Sequence, residues 1–218
     1  MSKISQMSVI TDEIIHLKES PLYEYRTSNG YFPVTGEGSV DAKIVFVGEA
    51  PGRNEAKTGK PFCGAAGKVL DKLLNHVKLT RDSIYITNIV KDRPPENRDP
   101  TAKEIEVYGP FLDRQIEIIQ PRVIVALGRY AMGYVMEKFG LGAVLEPIGK
   151  AHGKAYPTKA SWTESAGKPV MIDIVTLYHP CVAVYNPNNL DKLKTDFEIL
   201  KKYAKKDTRK KAVSKVKK

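Results

Sequence analysis

Four polar side chains with acid–base or hydrogen-bonding chemistry follow apolar runs of the sequence. Glu49 and Glu55 come after the run that ends at residue 47, Asn88 lies near the end of the next run, and His179 follows the last one. A carboxylate can orient water or stabilise a cationic sugar, and an imidazole can donate a hydrogen bond to a leaving group. An amide can pair with a donor–acceptor edge such as that of a nucleobase. The sequence thus offers a constellation of carboxylate, amide and imidazole.

The elements that must position these residues alternate between strands and helices. Strands are predicted over residues 43–47, 83–90, 122–127 and 170–177, and helices over residues 8–18, after Gly67, and over 101–119, 128–139 and 188–205. Residues 140–168 are predicted as a loop or small hairpin. This alternation predicts a three-layer α/β/α sandwich around a central four-stranded parallel sheet. Right-handed crossovers bring the strand ends to one edge, so the four side chains would line one cleft.

The composition divides the chain into three expected segments. Residues 1–40 would form an N-terminal helix and an irregular lead-in that packs on the core, and residues 41–205 would form the α/β domain. Residues 206–218 would form a disordered basic tail. The net charge is +10, and residues 201–218 hold ten Lys or Arg and a single Asp, so most of the basicity lies there. Such a tail is either a solvated solubility tail or a tether for nucleic acid.

The composition also narrows the classes of protein. No apolar run reaches the ~20 residues that span a bilayer, and the polar start of the chain does not resemble a signal peptide. We therefore expect a cytoplasmic protein without membrane contact. The two cysteines, Cys63 and Cys181, cannot form a disulfide framework or a four-thiolate metal site.

Each candidate residue also has a purely structural interpretation. Glu49 and Glu55 can be solvated loop acids, and Asn88 can hydrogen-bond only to its own loop. His179 precedes Pro180 and can be a structural corner.

Sequence patterns for a stacking platform, a nucleotide cofactor and a thiol nucleophile are weaker or absent. Phe62 is as compatible with a core position as with a stacking platform, since its neighbours form no apolar stripe. Residues 48–52 match neither the Walker motif nor GxGxxG, so binding of a nucleotide cofactor is poorly supported. A thiol nucleophile at Cys181 has little support, because Cys181 and His179 stand two residues apart on an extended segment.

Several motifs occur together and in a known order. They are GEAPG at residues 48–52, TGKPF at 58–62, GxxG at 64–67, YxxNxxK at 85–91, RPPxNR at 93–98 and HP at 179–180. In this order they resemble the uracil-DNA glycosylase superfamily, most closely its family 4 type, over roughly residues 12–205. The resemblance implies an enzyme that flips uracil out of DNA and hydrolyses its N-glycosidic bond, leaving an abasic site.

The resemblance also implies which residues bind the base. Gly48, Phe62 and Asn88 would form the substrate site, with Phe62 stacking on the uracil and Asn88 reading its Watson–Crick edge. Extruding a base costs a few kcal/mol, so these contacts must return that free energy.

Further roles follow from the same resemblance. His179 would hold the carbonyl oxygen on which negative charge grows, Glu55 would position water or stabilise the sugar cation, and Glu49 would shape the pocket near the ring. These three would be the catalytic residues. The DNA-binding residues would be Arg93, Arg98, Pro180, Cys181 and Tyr185.

The chain departs from the family 4 pattern at the iron–sulfur cluster. The four cluster cysteines correspond here to Leu17, Ser20, Asp92 and Tyr108. We therefore expect no iron–sulfur cluster, no metal and no other cofactor, with packing or hydrogen bonds holding these segments instead. The serine usual after His-Pro is Cys181, and a basic residue expected a few positions on is Tyr185, so this DNA-facing segment departs as well.

The leading hypothesis is a monomeric, monofunctional uracil-DNA glycosylase that binds uracil-containing DNA during repair. One alternative keeps the fold but acts on another modified pyrimidine. A second is a catalytically silent DNA-binding protein. The joint presence of Glu49, Glu55, Phe62, Asn88 and His179 argues against the silent protein, which would need no such set.

Overall fold

The structure, a computed structural model, describes residues 1–163 and 168–204. The strands are β1 (Glu37–Gly38), β2 (Ile44–Gly48), β3 (Tyr85–Asn88), β4 (Val123–Leu127), β5 (Lys154–Thr163) and β6 (Pro169–Leu177). The helices are α1 (Lys3–Ile15), α2 (Tyr23–Ser28), α3 (Arg53–Thr58), α4 (Ala65–His76), α5 (Ala102–Ile119), α6 (Arg129–Lys138), α7 (Ile148–Ala151), α8 (Cys181–Tyr185), α9 (Leu190–Phe197) and α10 (Lys201–Ala204). The predicted tail, residues 206–218, lies outside the described residues.

The strands of the described residues form one sheet in the order β1-β3-β2-β4-β6-β5. Strands β3, β2, β4 and β6 pair in parallel, and this confirms the predicted four-stranded parallel centre. Strand β1 pairs antiparallel with β3, and β5 pairs antiparallel with β6. These two edge strands were not predicted, because β1 has only two residues and β5 lies in a Gly-, Pro- and Lys-rich stretch.

Strand β2 shows why helices cover both faces of the sheet. All its residues are buried. Ile44 and Phe46 pack into one core with α4 and α9, whereas Val45 and Val47 pack into the other with α1, α5 and α6. Because successive side chains of a strand point to opposite faces, a continuously apolar strand needs cover on both sides. The predicted three-layer α/β/α sandwich is therefore confirmed.

Some helix bounds differ from the predictions. Helix α1 begins at Lys3, five residues before the predicted start, because Ser2 caps it and accepts a hydrogen bond from the backbone N–H of Ser5 at 3.1 Å. The predicted capping pattern at Thr101 is present, and Pro110 does not end α5. The predicted final helix is divided into α9 and α10, which a 3₁₀ turn joins.

Two predicted loops contain regular structure. The loop or small hairpin predicted for residues 140–168 instead contains α7 and the long strand β5, so that prediction is wrong in extent. The predicted irregular lead-in contains the short helix α2, and the segment between β2 and α4 contains the short helix α3. None of the helices in the described part of the chain is long and apolar enough to cross a membrane.

A buried hydrogen-bond network ties the lead-in to the sheet and to α5. The Tyr108 hydroxyl donates to Asp92 Oδ2 at 2.5 Å and lies 2.7 Å from the Ser20 hydroxyl. Arg26 donates to Asp92 Oδ1 at 3.4 Å. Burial raises the pKa of the Asp92 carboxyl, although Tyr108 and Arg26 act in the opposite direction. Leu17 packs, partly buried, against the adjoining core.

We expect Tyr108→Phe to lower the free energy of unfolding by about 1–3 kcal/mol, because it leaves the buried Asp92 and Ser20 without their shared partner. Urea denaturation measures this change. The matched control is Tyr134→Phe, which removes a hydroxyl that donates to Asp113 at 3.0 Å in a less buried position. A loss for Tyr108→Phe no larger than for the control would contradict the role of the network.

Candidate active site

A cleft of about 350 Å³ lies at the carboxyl edge of the parallel strands. This volume is within the range of small-molecule sites. The cleft lining includes Glu49, Glu55, Phe62, Asn88 and His179. These side chains come from segments up to 130 positions apart, and the parallel topology of β2, β3 and β6 brings them together.

Gly48 lies directly behind the floor of the cleft. It ends β2 and pairs in register with Asn88 at the end of β3. A Cβ at Gly48 would lie 2.8 Å from Phe62 Cζ and closer still to Asn88 Oδ1. A glycine is therefore required for the Asn88 amide and the Phe62 ring to reach the same space.

Phe62 is buried and is held in a left-handed backbone conformation, with φ of 50°. Its ring centroid lies 5.5 Å from that of the His179 imidazole, with 32° between the planes. The backbone of Phe62 also presses on Gly67 of α4, where any Cβ would collide with the Phe62 carbonyl. A non-glycine residue in this conformation stores strain, which is common at functional sites. The result is a fixed aromatic platform beside an imidazole.

Glu55 is anchored at the start of α4. Its Oε1 accepts a hydrogen bond from the backbone N–H of Gly64 at 2.8 Å. Gly64 is the N-cap of α4, where free N–H groups stabilise a carboxylate. Gly52 lies close to the other oxygen, since a Cβ there would lie 2.7 Å from Glu55 Oε2. The carboxylate is thereby aimed into the cleft from one side.

The His179 imidazole is held as a neutral donor. Its Nδ1 accepts a hydrogen bond from the backbone N–H of Cys181 at 3.2 Å, so this nitrogen carries no proton and the proton is assigned to Nε2. His179 is half-buried and lines the cleft. This burial lowers the pKa of His179 to about 4, and Glu55 opposes the shift only in part.

Glu49 lies in a different electrostatic environment. The pKa of Glu49 is raised to about 7, because burial and, to a smaller extent, the charge of Asp99 raise it more than Arg129 lowers it. Asp99 and Arg129 form an ion pair at 2.5 Å. Glu49 is thus a carboxyl that changes its protonation state near neutral pH.

The predicted DNA-binding residues differ widely in accessibility. Arg93 is buried, and its guanidinium donates to Asn97 Oδ1 at 2.7 Å and to the hydroxyls of Tyr25 and Tyr31 at 3.1 and 3.2 Å. Pro180 is buried as well. Both residues are enclosed by protein in this structure, and their contact with DNA stays a prediction.

The other three predicted DNA contacts remain accessible. Arg98 lines the cleft with 42% of its side chain exposed while Glu104 holds it through two hydrogen bonds of 2.9 and 2.6 Å. Tyr185 is 86% exposed at the end of α8. Cys181 lines the cleft, and burial raises the pKa of its thiol, so the thiolate that a nucleophile requires is disfavoured.

Sequence reasoning missed several residues of the site. Arg129 begins α6 directly after β4, and the rule that selected the other strand ends would have selected it also. Asn97 lines the cleft with a positive φ of 55°, and its place in the RPPxNR motif was the available signal. Lys91 is fully buried behind Asn88. Its place in the YxxNxxK motif was the available signal.

The residues of this structure do not fit an iron–sulfur cluster. The four positions that the resemblance assigns to the cluster cysteines, Leu17, Ser20, Asp92 and Tyr108, supply an alkyl group and oxygen atoms that already hydrogen-bond to one another. Such clusters are held by thiolates. Among the described residues no group of three or more His, Cys, Asp or Glu side chains is placed to hold a metal ion.

We expect Gly48→Ala to lower the free energy of unfolding by about 1–3 kcal/mol, since the new methyl group overpacks the floor of the cleft against Phe62 and Asn88. Gly133→Ala is the control, because a Cβ at this position of α6 meets no atom within 4 Å. The control should raise stability by about 0.5–1 kcal/mol. Denaturant unfolding of both variants tests the pair, and a neutral Gly48→Ala would show that the floor is not tightly packed.

Comparison with known proteins agrees with this geometry. The model of the uracil DNA glycosylase superfamily matches residues 35–205. The chain is 43% identical over 202 residues to the type-4 uracil-DNA glycosylase of Sulfurisphaera tokodaii, which covers 92% of this chain and 86% of that protein. The type-4 enzyme of Saccharolobus solfataricus is 41% identical over 91% of this chain and 86% of its own length. The type-4 enzyme of Archaeoglobus fulgidus is 42% identical over 87% of this chain and 88% of its own length. The chain therefore belongs to the uracil-DNA glycosylase superfamily.

Proposed function

We propose that this protein excises uracil from DNA by hydrolysing the N-glycosidic bond, leaving an abasic site in base excision repair. The observation that carries the proposal is the convergence of Phe62, Asn88 and a neutral His179 donor in one cleft. The superfamily relationship supports the same activity, since the similar enzymes are named uracil-DNA glycosylases.

The cleft suits a flat pyrimidine that has left the base stack. Phe62 offers its ring for stacking, and Asn88 offers an acceptor and a donor to the base edge. The missing Cβ of Gly48 leaves room for both side chains. Stacking and hydrogen bonds in a desolvated pocket return the free energy spent in extruding the base.

The reaction separates charge, and the side chains match its direction. The bond between N1 of uracil and C1′ of the sugar breaks, and its electron pair leaves with the base. The Nε2–H of His179 stabilises the charge that grows on the uracil carbonyl oxygen. Glu55 stabilises the cationic sugar and orients water, whose oxygen bonds to C1′ as its proton passes to the carboxylate. A neutral imidazole donor suits this step because it stays a donor throughout the neutral pH range.

The DNA around the flipped nucleotide would contact the exposed groups at the cleft mouth. Tyr185 projects from α8, directly after the His179 segment, and its ring can enter the space that the uracil vacates. Arg98 and Arg129 are exposed cations at the rim and are suited to backbone phosphates. Cys181 adds a small cleft-lining contact. The basic residues after 204 would add salt-dependent attraction to the backbone.

The chain is further proposed to act as a monomer, to need no iron–sulfur cluster or other cofactor, and to work wherever the cell keeps its DNA. It would thus be a type-4-like member in which hydrogen bonds among Ser20, Asp92 and Tyr108 take the structural place of the cluster. The segment boundaries after residues 40 and 205, which separate the lead-in, the α/β domain and the tail, stay predictions.

The wild-type protein should release uracil from an end-labelled oligonucleotide with one deoxyuridine, detected as alkali cleavage at the abasic site. Asn88→Ala and His179→Ala should each slow the reaction by at least about 100-fold, the typical cost of removing a donor to a developing anion. The exposed residues Asn29 and His16 provide control variants, Asn29→Ala and His16→Ala, which should keep full activity.

Three outcomes oppose this assignment in different ways. Intact uracil in single strands and in U·G and U·A pairs alike would overturn it. Release of a modified pyrimidine but not of uracil would favour the alternative substrate. Salt-sensitive DNA binding without release of any base would favour the silent DNA-binding protein.

The protonation of Glu49 predicts a pH dependence. Above its pKa of about 7, an ionised Glu49 places a negative charge beside the departing uracil anion. Single-turnover uracil release should therefore fall as pH rises through 7. Glu49→Gln, which stays neutral, should remove this decline between pH 6 and about 8.5. A wild-type rate that instead rises through pH 7 would show that the carboxylate is the active form.

A further inference from the structure

Lys91 is a fully buried lysine to which the proposed reaction assigns no part. Its exposed area is 0%. Its Nζ lies 2.7 Å from the backbone carbonyl oxygen of Asn88, 2.8 Å from the Thr87 hydroxyl and 2.7 Å from the amide oxygen of Gln115 on α5. The amine therefore sits directly behind the residue proposed to read the base.

The directions of the surrounding hydrogen bonds define the form of the amine. The Thr87 hydroxyl donates its own proton to the carbonyl of Thr35 at 3.0 Å, and the Gln115 amide nitrogen donates to that carbonyl at 2.7 Å. Thr87 and Gln115 must then accept from Lys91, as must the Asn88 carbonyl. Three acceptors match the three N–H donors of the ammonium, which is the form that burial disfavours.

The buried amine of Lys91 carries a desolvation cost. All three partners of Lys91 are uncharged, and burial lowers the pKa of Lys91 to about 7 against a partial opposing effect of Asp113. Three hydrogen bonds to buried acceptors offset part of this cost, so Lys91 also contributes to folding. Its place behind Asn88 adds a second consequence, which is what the amine holds in position.

What it holds is the peptide that follows Asn88. The N–H of this peptide belongs to Ile89 and donates to the Gly48 carbonyl at 3.0 Å, just beyond the paired residues of β2 and β3. The C=O of the same peptide belongs to Asn88 and accepts from Lys91. Both polar groups of the peptide are thereby hydrogen-bonded where β3 stops, which anchors the backbone on the C-terminal side of Asn88.

We propose that Lys91 is a positioning residue for base recognition: its ammonium clamps the carbonyl of Asn88 from behind and so fixes the plane in which the Asn88 amide meets the flipped base. The inference rests on the proposed function. A misplacement of about 1 Å in such a group can cost about 100-fold in rate.

The test is Lys91→Met, which keeps the length of the side chain and removes its donors. Single-turnover uracil release should fall about 100-fold, and inhibition by free uracil should weaken about tenfold, the equivalent of one hydrogen bond. The affinity for DNA with a ready-made abasic site should stay unchanged, because that ligand has no base for Asn88 to read. A general loss of structure would instead weaken the binding of both free uracil and abasic DNA.

A double-mutant cycle separates positioning from a general effect. If Lys91 acts through Asn88, Lys91→Met should add little to Asn88→Ala. Lys154→Met, at an exposed lysine paired with Glu146, is the matched control and should leave all three measurements unchanged. Should Lys91→Met fail to fold, Gln115→Met, which removes one anchor of the ammonium outside the cleft, should weaken uracil inhibition and uracil release in the same direction.

Two results would overturn the positioning role while the proposed function stands. In the first, free uracil inhibits Lys91→Met as strongly as it inhibits an active wild type. In the second, the effects of Lys91→Met and Asn88→Ala on the rate of uracil release are fully additive. A wild-type chain that releases no uracil would instead overturn the proposed function, and the positioning role would fall with it.

Discussion

The close approach of Gly48, Asn88 and Phe62 is the constraint on which the rest of the site depends. Gly48 and Asn88 are register partners at the ends of two parallel strands, and the absent Cβ lets the amide and the aromatic ring share one floor. Phe62 accepts a left-handed backbone to reach that floor. Because α4 follows directly and presses Gly67 on the Phe62 carbonyl, the strand end, the platform and the helix start form one packed unit.

The electrostatics of the cleft suit the anion that would form in the proposed reaction. His179 is kept neutral by burial and by the backbone N–H that occupies its Nδ1. Glu55 stays anchored to the start of α4, whereas Glu49 is buried enough to be protonated near neutral pH. In the proposed mechanism one carboxylate would face the sugar cation, and a second carboxyl would avoid adding negative charge near the base. Different environments would then give two similar side chains different tasks.

Buried polar networks hold the segments behind the cleft. Tyr108 connects Ser20 to Asp92, and Asp92 is followed by Arg93, which two tyrosines of the lead-in enclose. Arg93 in turn fixes Asn97, whose positive φ shapes the loop at the cleft. In a low-dielectric interior a fully satisfied network specifies one arrangement, because any shift leaves a buried group unpaired. The N-terminal lead-in is therefore part of the support of the site.

The sequence by itself determined the parallel strands, the capping pattern at Thr101 and the meeting of Glu49, Glu55, Asn88 and His179 at one edge, because periodicity and crossover handedness are local or topological properties. Only the tertiary structure decided the burial of Arg93, the tautomer of His179 and the pairing of β5. It also decided the bonds from Tyr108 to Ser20, which lies 88 positions away. Burial and hydrogen-bond partners depend on distant segments meeting in space, and no spacing along the chain encodes how the side chains orient once they meet.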